Sequence, residues 1–120
     1  LEVECLPGAT ALIPALVQSG ISCQRFIFEG FLPLKKGRKK RMQLLSEETK
    51  TVIIYESPHR ILKTLTQLLD FLGEDRLISV IKEISKIHEA TYRGEISEIV
   101  NLFYDIKPRG EFVIVVDGKK

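Results

Sequence analysis

The residues best equipped for chemistry fall in three short segments: LPGATA (6–11), FEGFLP (28–33) and YESPHR (55–60). Each ends an apolar stretch and runs into a turn, and open α/β sheets hold their ligands beyond such strand ends. In YESPHR, Tyr55 offers a flat face for a base or ring and Glu56 offers a hydrogen-bond acceptor. His59 is a candidate proton acceptor one turn further on. The plainer reading makes Glu56 a carboxylate favoured by a helix dipole, Tyr55 a residue at the core's edge and His59 solvated. In LPGATA a tight Pro-Gly turn enters a helix whose free N–H groups suit an anion, although for this motif alone a plain strand-to-helix turn is the better explanation. Glu29, in FEGFLP, completes the set of candidate bases with Glu56 and His59.

One electrostatic outlier stands beside these segments. Six of the seven residues Lys35 to Arg41 (KKGRKKR) are basic, and without them the 120-residue chain has 12 Lys or Arg against 16 Asp or Glu. The net charge of +2 therefore combines a basic run with a body of −4. A solvated lysine loop is the ordinary explanation of a charge run. Here the run follows the aromatic RFIFEGFLP, so Lys35, Lys36, Arg38, Lys39, Lys40 and Arg41 are read as an RNA-contacting patch beside stacking faces.

Other chemistries find no support. His88 and Glu89 lack metal-ligand spacing to any partner, so no metal site is expected. Cys5 and Cys23 are too few for a disulfide framework and read as small buried hydrophobes. There is no phosphate-cradling GxxxxGK[ST] loop, no GxGxxG fingerprint and no Ser-His-Asp set. No apolar run approaches the ~20 residues of a membrane span. Glu2 and Glu4 break any signal-peptide profile, which makes a reducing cytosol the default compartment.

The elements that must position these residues alternate between strand and helix, the pattern of an α/β layer structure in one domain. The pattern predicts a short extended stretch over residues 1–6, a helix over 9–20 and a strand over 25–29. FLPLKKGRKKR reads as a loop, with a helix from Gly37 or Arg38 carrying Met42, Leu44 and Leu45 inward to about Glu48. TVIIY (51–55) is a strand buried on both faces. Ser57-Pro58 predicts a capped helix start, followed by the stripe Ile61, Leu62, Leu65, Leu68, Leu69, Leu72 and a stop at Gly73. Strands are expected over 77–81, 90–93 and 112–116, with a helix capped by Ser97 running to Phe103 and a turn over 107–110. The abrupt opening, LEVECLPG, reads as the end of a strand, as a fragment would begin.

Taken in order, VECLPGATALIPALVQSGI, FIFEGFLP, the lysine-rich loop, TVIIYESPHRI, KEISKIHE, RGEISEI and GEFVIVVDG resemble the C-terminal domain of the bacterial ribosomal RNA small-subunit methyltransferase I family. That family is a branch of the tetrapyrrole (corrin/porphyrin) methylase superfamily, and the resemblance covers essentially the whole chain. It implies a mixed sheet of about five strands flanked by helices, with an N-terminal domain absent from this chain. It implies S-adenosylmethionine as cofactor and methyl transfer to a cytidine 2′-hydroxyl in small-subunit rRNA or the assembled subunit, by a cytoplasmic homodimer. Thr10 and Ala11 match the pair that touches the cofactor after the Pro-Gly turn. Tyr55 or Glu56, Ile81 or Lys82, and Glu111 or Phe112 match later cofactor-lining positions. A fragment of this extent is expected to be inactive alone. Two other readings compete: the same scaffold acting on a porphyrin or corrin precursor, and a non-catalytic RNA-binding or dimerisation module.

Overall fold

The computed structural model describes residues 26–83, 89–105 and 110–120. The elements expected over 1–6, 9–20 and 107–110 lie outside these residues in whole or in large part, as do Thr10, Ala11, Cys5, Cys23 and His88. Five strands and three helices follow in chain order: β1 (Phe26–Phe31), α1 (Arg38–Glu47), β2 (Thr51–Glu56), α2 (Ile61–Leu72), β3 (Leu77–Glu83), β4 (Glu89–Glu95), α3 (Ile96–Tyr104) and β5 (Glu111–Val116). They form the expected α/β arrangement, a mixed five-stranded sheet in the order β1-β2-β5-β3-β4. β1 and β2 run parallel, while β5 is antiparallel to both β2 and β3. The carboxyl ends of β1, β2 and β3 therefore meet at one edge, and the β1-α1-β2 unit supplies the crossover that parallel pairing requires.

All three described helices cover one face. Val52 and Ile54, Ile78 and Val80, and Phe112, Ile114 and Val116 pack beneath Met42 and Leu45, Ile61, Leu65 and Leu68, and Ile96, Ile99, Val100 and Phe103. Phe103 sits edge-on to Tyr92 at 5.2 Å and to Phe112 at 5.6 Å between ring centres. The opposite face is buried at Ile53, Ser79, Ile81, Val113 and Val115. Burial on both faces is why TVIIY is an unbroken apolar run instead of an alternating one.

Several local expectations are corrected. β1 continues through Gly30 to Phe31 by means of a bulge. α1 begins at Arg38, as expected, so Arg38 to Arg41 of the basic run form its first turn. Met42 and Leu45 point inward, but Leu44 is exposed, and the third inward place goes to Arg38. Positions 38, 42 and 45 share one face of a 3.6-residue helix, and position 44 does not. Ser57 does not cap α2: residues 58–60 form a turn in which the Arg60 N–H bonds the Ser57 carbonyl at 3.1 Å, and the helix starts at Ile61. Gly73 does end it, its N–H bonding the Leu69 carbonyl at 3.0 Å. α3 is capped by Glu95, in a capping box with Glu98, and not by Ser97. Ser97 Oγ instead donates to the Glu74 carbonyl at 3.4 Å.

Candidate functional site

The sheet register brings the sequence-selected positions of β2, β3 and β5 together at the edge where the parallel strands end. Phe31, Tyr55, Val113, Ile81 and Thr91 are consecutive partners across all five strands. The next row runs Glu56, Phe112, Lys82, Ala90. Side chains alternate between faces along a strand, so each pair left open by the sequence is divided by the sheet. Tyr55, Ile81 and Glu111 point away from the helices; Glu56, Lys82 and Phe112 point toward them. Phe112 is core, in contact with Phe103. Tyr55 is half-buried and Glu111 exposed.

Glu56 is buried, and both its oxygens accept hydrogen bonds. The Ser57 N–H donates to Oε1 at 2.8 Å and Thr64 Oγ1 to Oε2 at 2.5 Å. Thr64 in turn accepts from Arg38 Nη2 at 2.8 Å, while Arg38 Nη1 donates to the Pro33 carbonyl at 3.0 Å and Nε to Gln67 Oε1 at 2.8 Å. Burial lowers the pKa of the Arg38 guanidinium, the Glu56 carboxylate opposes that shift, and Arg60 adds to it. This chain of bonds ties the end of β2 to α2 and to the start of α1. Geometry therefore makes Glu56 an anchor, not a free base. It likewise removes Arg38 from the RNA-contacting group, because a buried guanidinium bonded at three nitrogens is unavailable to a phosphate.

Of the other candidate bases, Glu29 pairs with Arg41 at 3.2 Å. His59 is exposed in the turn before α2 and makes no hydrogen bond or ion pair among the described residues. Lys35, Lys36, Lys39 and Lys40 are exposed, and none is ion-paired among the described residues. Sequence reasoning missed Arg38, Thr64 and Gln67 as a group. The available signal was spacing: Thr64 stands at a polar break in the inward face defined by Ile61, Leu65 and Leu68. A polar residue on an apolar stripe needs a buried partner.

A cavity of about 650 Å³ lies at the opposite end of the sheet, lined in part by Arg76, Asp117, Gly118 and Lys119. It is remote from every position selected above except through the sheet itself. Among the described residues, no helix is long and apolar enough to cross a membrane, and no three His, Cys, Asp or Glu side chains gather as a metal site.

Solved structures share this architecture. The chain is similar to the cobalt precorrin-4 methyltransferase CbiF, with a TM-score of 0.69 and 16% identity, covering 98% of this chain and 52% of that one. It is also similar to the methyltransferase CobJ, with a TM-score of 0.64 and 19% identity, covering 98% and 51%. The fold is thus that of a class of α/β methyltransferases. The sequence makes the assignment specific, since residues 1–100 match the family described as Tetrapyrrole (Corrin/Porphyrin) Methylases. The chain belongs to that family. Within it, the chain is 46% identical to the ribosomal RNA small subunit methyltransferase I of Synechocystis sp., over 98% of this chain and 43% of that protein. It is 39% identical to the protein of the same name from Thermotoga maritima, over 100% and 54%. The chain spans about half the length of these relatives.

Proposed function

We propose that the protein containing this chain is an S-adenosylmethionine-dependent methyltransferase of small-subunit rRNA, acting on a cytidine ribose 2′-hydroxyl, and that the chain is its C-terminal, cofactor-cleft domain. The names of its relatives support the substrate class. The observation in the molecule that carries the reading is the group of four exposed lysines beside the candidate edge, without carboxylate partners among the described residues. A small tetrapyrrole has no use for a patch of that extent, whereas a polyphosphate chain does.

The residues suit the cofactor. Tyr55 supplies a π face, Ile81 an apolar wall and Glu111 a carboxylate on one side of the sheet, a set compatible with an adenine-bearing sulfonium. The cofactor supplies an activated methyl group; the chain contributes placement and electrostatics. The attacking hydroxyl must lose a proton, and of Glu29, Glu56 and His59 only His59 is both exposed and unbonded among the described residues. Thr10 and Ala11 remain proposed cofactor contacts on the resemblance alone. A cytoplasmic homodimer completes the proposal.

The test is methyl transfer by the full-length protein from labelled S-adenosylmethionine to assembled small subunits and to free small-subunit rRNA, with the modified position mapped. Label on a cytidine 2′-oxygen supports the reading. Transfer to a porphyrin or corrin precursor and not to rRNA would replace it with the tetrapyrrole alternative. The 120-residue chain alone should transfer no methyl group and bind the cofactor weakly; tight binding by calorimetry would contradict this.

A further inference from the structure

A bulge in β1 decides where three aromatic rings stand. Phe28 pairs with Ile53 and Phe31 with Tyr55, while Glu29 between them has no partner in β2. Residues three apart in a regular strand face opposite sides. One extra residue turns both phenylalanines to the same side, away from the helices. Gly30, at φ 71°, takes the backbone conformation that this turn needs and that a side chain would strain. Tyr55 stands edge-on to both rings, 5.1 Å from Phe28 and 5.7 Å from Phe31 between centres. Glu29, outside the ladder, is held by Arg41, which ties the bulge to α1. These rings are not core: Phe28 is 43% and Phe31 63% exposed. A cluster of exposed aromatics on an edge strand marks a contact surface.

The charges beside it select the occupant. Lys35 and Lys36 follow Phe31 in the loop, and Lys39 and Lys40 follow in the first turn of α1, across the β1 edge from the rings, where Arg41 reaches Glu29; all four are exposed and without acidic partners among the described residues. A second copy of this chain docked here would set lysines against lysines. An unpaired nucleotide answers both features, offering a base to the rings and phosphates to the ammonium groups. We propose that Phe28 and Phe31 form a stacking site for an unpaired base of single-stranded RNA, whose flanking phosphates lie on Lys35, Lys36, Lys39 and Lys40. The inference rests on the rRNA reading above and adds to it the strand state of the RNA and the side chains that hold a base.

The experiment uses the full-length protein and small-subunit rRNA transcribed with 5-iodouridine. Ultraviolet crosslinks are mapped by mass spectrometry, and affinity is measured against salt for the wild type, F28A, F31A, F31Y and a variant with all four lysines changed to Ala. Crosslinks are expected at Phe28 or Phe31. F31A should bind about tenfold more weakly at every salt concentration with an unchanged salt slope, and F31Y should restore binding. The four-lysine variant should lower the slope itself. Unchanged affinity in F28A and F31A, with the lysine variant still impaired, overturns the stacking site and leaves the rRNA reading standing. Failure of the wild type to bind rRNA overturns both. Loss of dimers in F31A by sedimentation assigns the rings to a subunit interface and also overturns the stacking site.

Discussion

Both ends of the sheet are secured by an arginine that lies partly or wholly inside the protein, yet they become different kinds of surface. At the carboxyl ends of β1 and β2, Arg38 holds the Pro33 carbonyl, Thr64 and Gln67, while the lysines around it have no ion-pair partner among the described residues and Phe31 is exposed. At the far end, Arg76 donates to the Ser46 carbonyl at 3.0 Å and the Asp117 carbonyl at 3.2 Å. There Lys119 pairs with Glu47 at 2.6 Å and its N–H bonds the Glu48 carbonyl at 2.7 Å. Burial lowers the pKa of both guanidinium groups, opposed by Glu56 at Arg38 and by Asp117 and Glu47 at Arg76. The cavity belongs to the far end. Volume and unmatched chemistry are thus at opposite ends, and the unmatched groups are the better guide, because charges already bonded to one another offer little to a ligand.

The contrast can be broken most severely at Gly118, where an added Cβ would overlap the Thr49 carbonyl. Gly118→Val should cost more than about 3 kcal/mol, since backbone must move, whereas Phe31→Ala at the other end should change stability by under about 0.5 kcal/mol. Urea denaturation of both variants compares the two ends directly, and equal losses would abolish the distinction. Arg38→Met comes next: it removes the guanidinium donor from Thr64, Gln67 and the Pro33 carbonyl and leaves the Glu56 carboxylate without this nearby cation, for an expected loss of about 2–4 kcal/mol. Its rRNA salt slope should stay at the wild-type value, and a reduced slope would mean the guanidinium reaches phosphate after all.

Changing Lys35, Lys36, Lys39 and Lys40 to Ala should reduce that slope by up to roughly 3, from about 0.7 per single-strand phosphate contact. Replacing Lys119 and Lys120 at the far end should leave it unchanged. The smallest effect is expected at Glu47, whose carboxyl is held below its ordinary value by the hydrogen bond and charge of Lys119. A depressed folded-state pKa contributes stability that is present above the unfolded value and is lost as pH falls through the folded one. Stability curves of Glu47→Gln and wild type should therefore differ slightly near neutrality and converge in acid; a gap that widens in acid would reverse the assignment.

The strands were legible because TVIIY, LISVI and FVIVV are short, near-continuous runs of β-branched and apolar side chains, enough to specify strands without reference to neighbours. The breaks at Gly73 and at the two ends of α1 were legible for similar reasons of local backbone chemistry. Helix starts were less so. Ser57-Pro58 has the composition of a cap, but Glu56 accepts the Ser57 N–H and the chain makes a turn before Ile61. At α3 the cap is Glu95, a residue type less favoured than serine. Of the candidate site, the place of Tyr55 near a strand end was legible. The burial of Glu56 and Arg38 was not, since it depends on Thr64 and Gln67, which come from a different element.

Composition and periodicity alone determined that this chain makes an α/β sheet, where its strands run, and that its basic charge is concentrated in seven residues. These are properties of neighbours in sequence. Tertiary structure alone decided which member of each pair, Tyr55 or Glu56, Glu111 or Phe112, faces away from the described helices, because facing depends on register. It decided that one arginine of the basic run is a core residue while four lysines are exposed, because helix phase and packing sort the charges. It also decided that Phe28 and Phe31 share a face, since a single unpaired residue at Glu29 reverses the alternation that the sequence by itself implies.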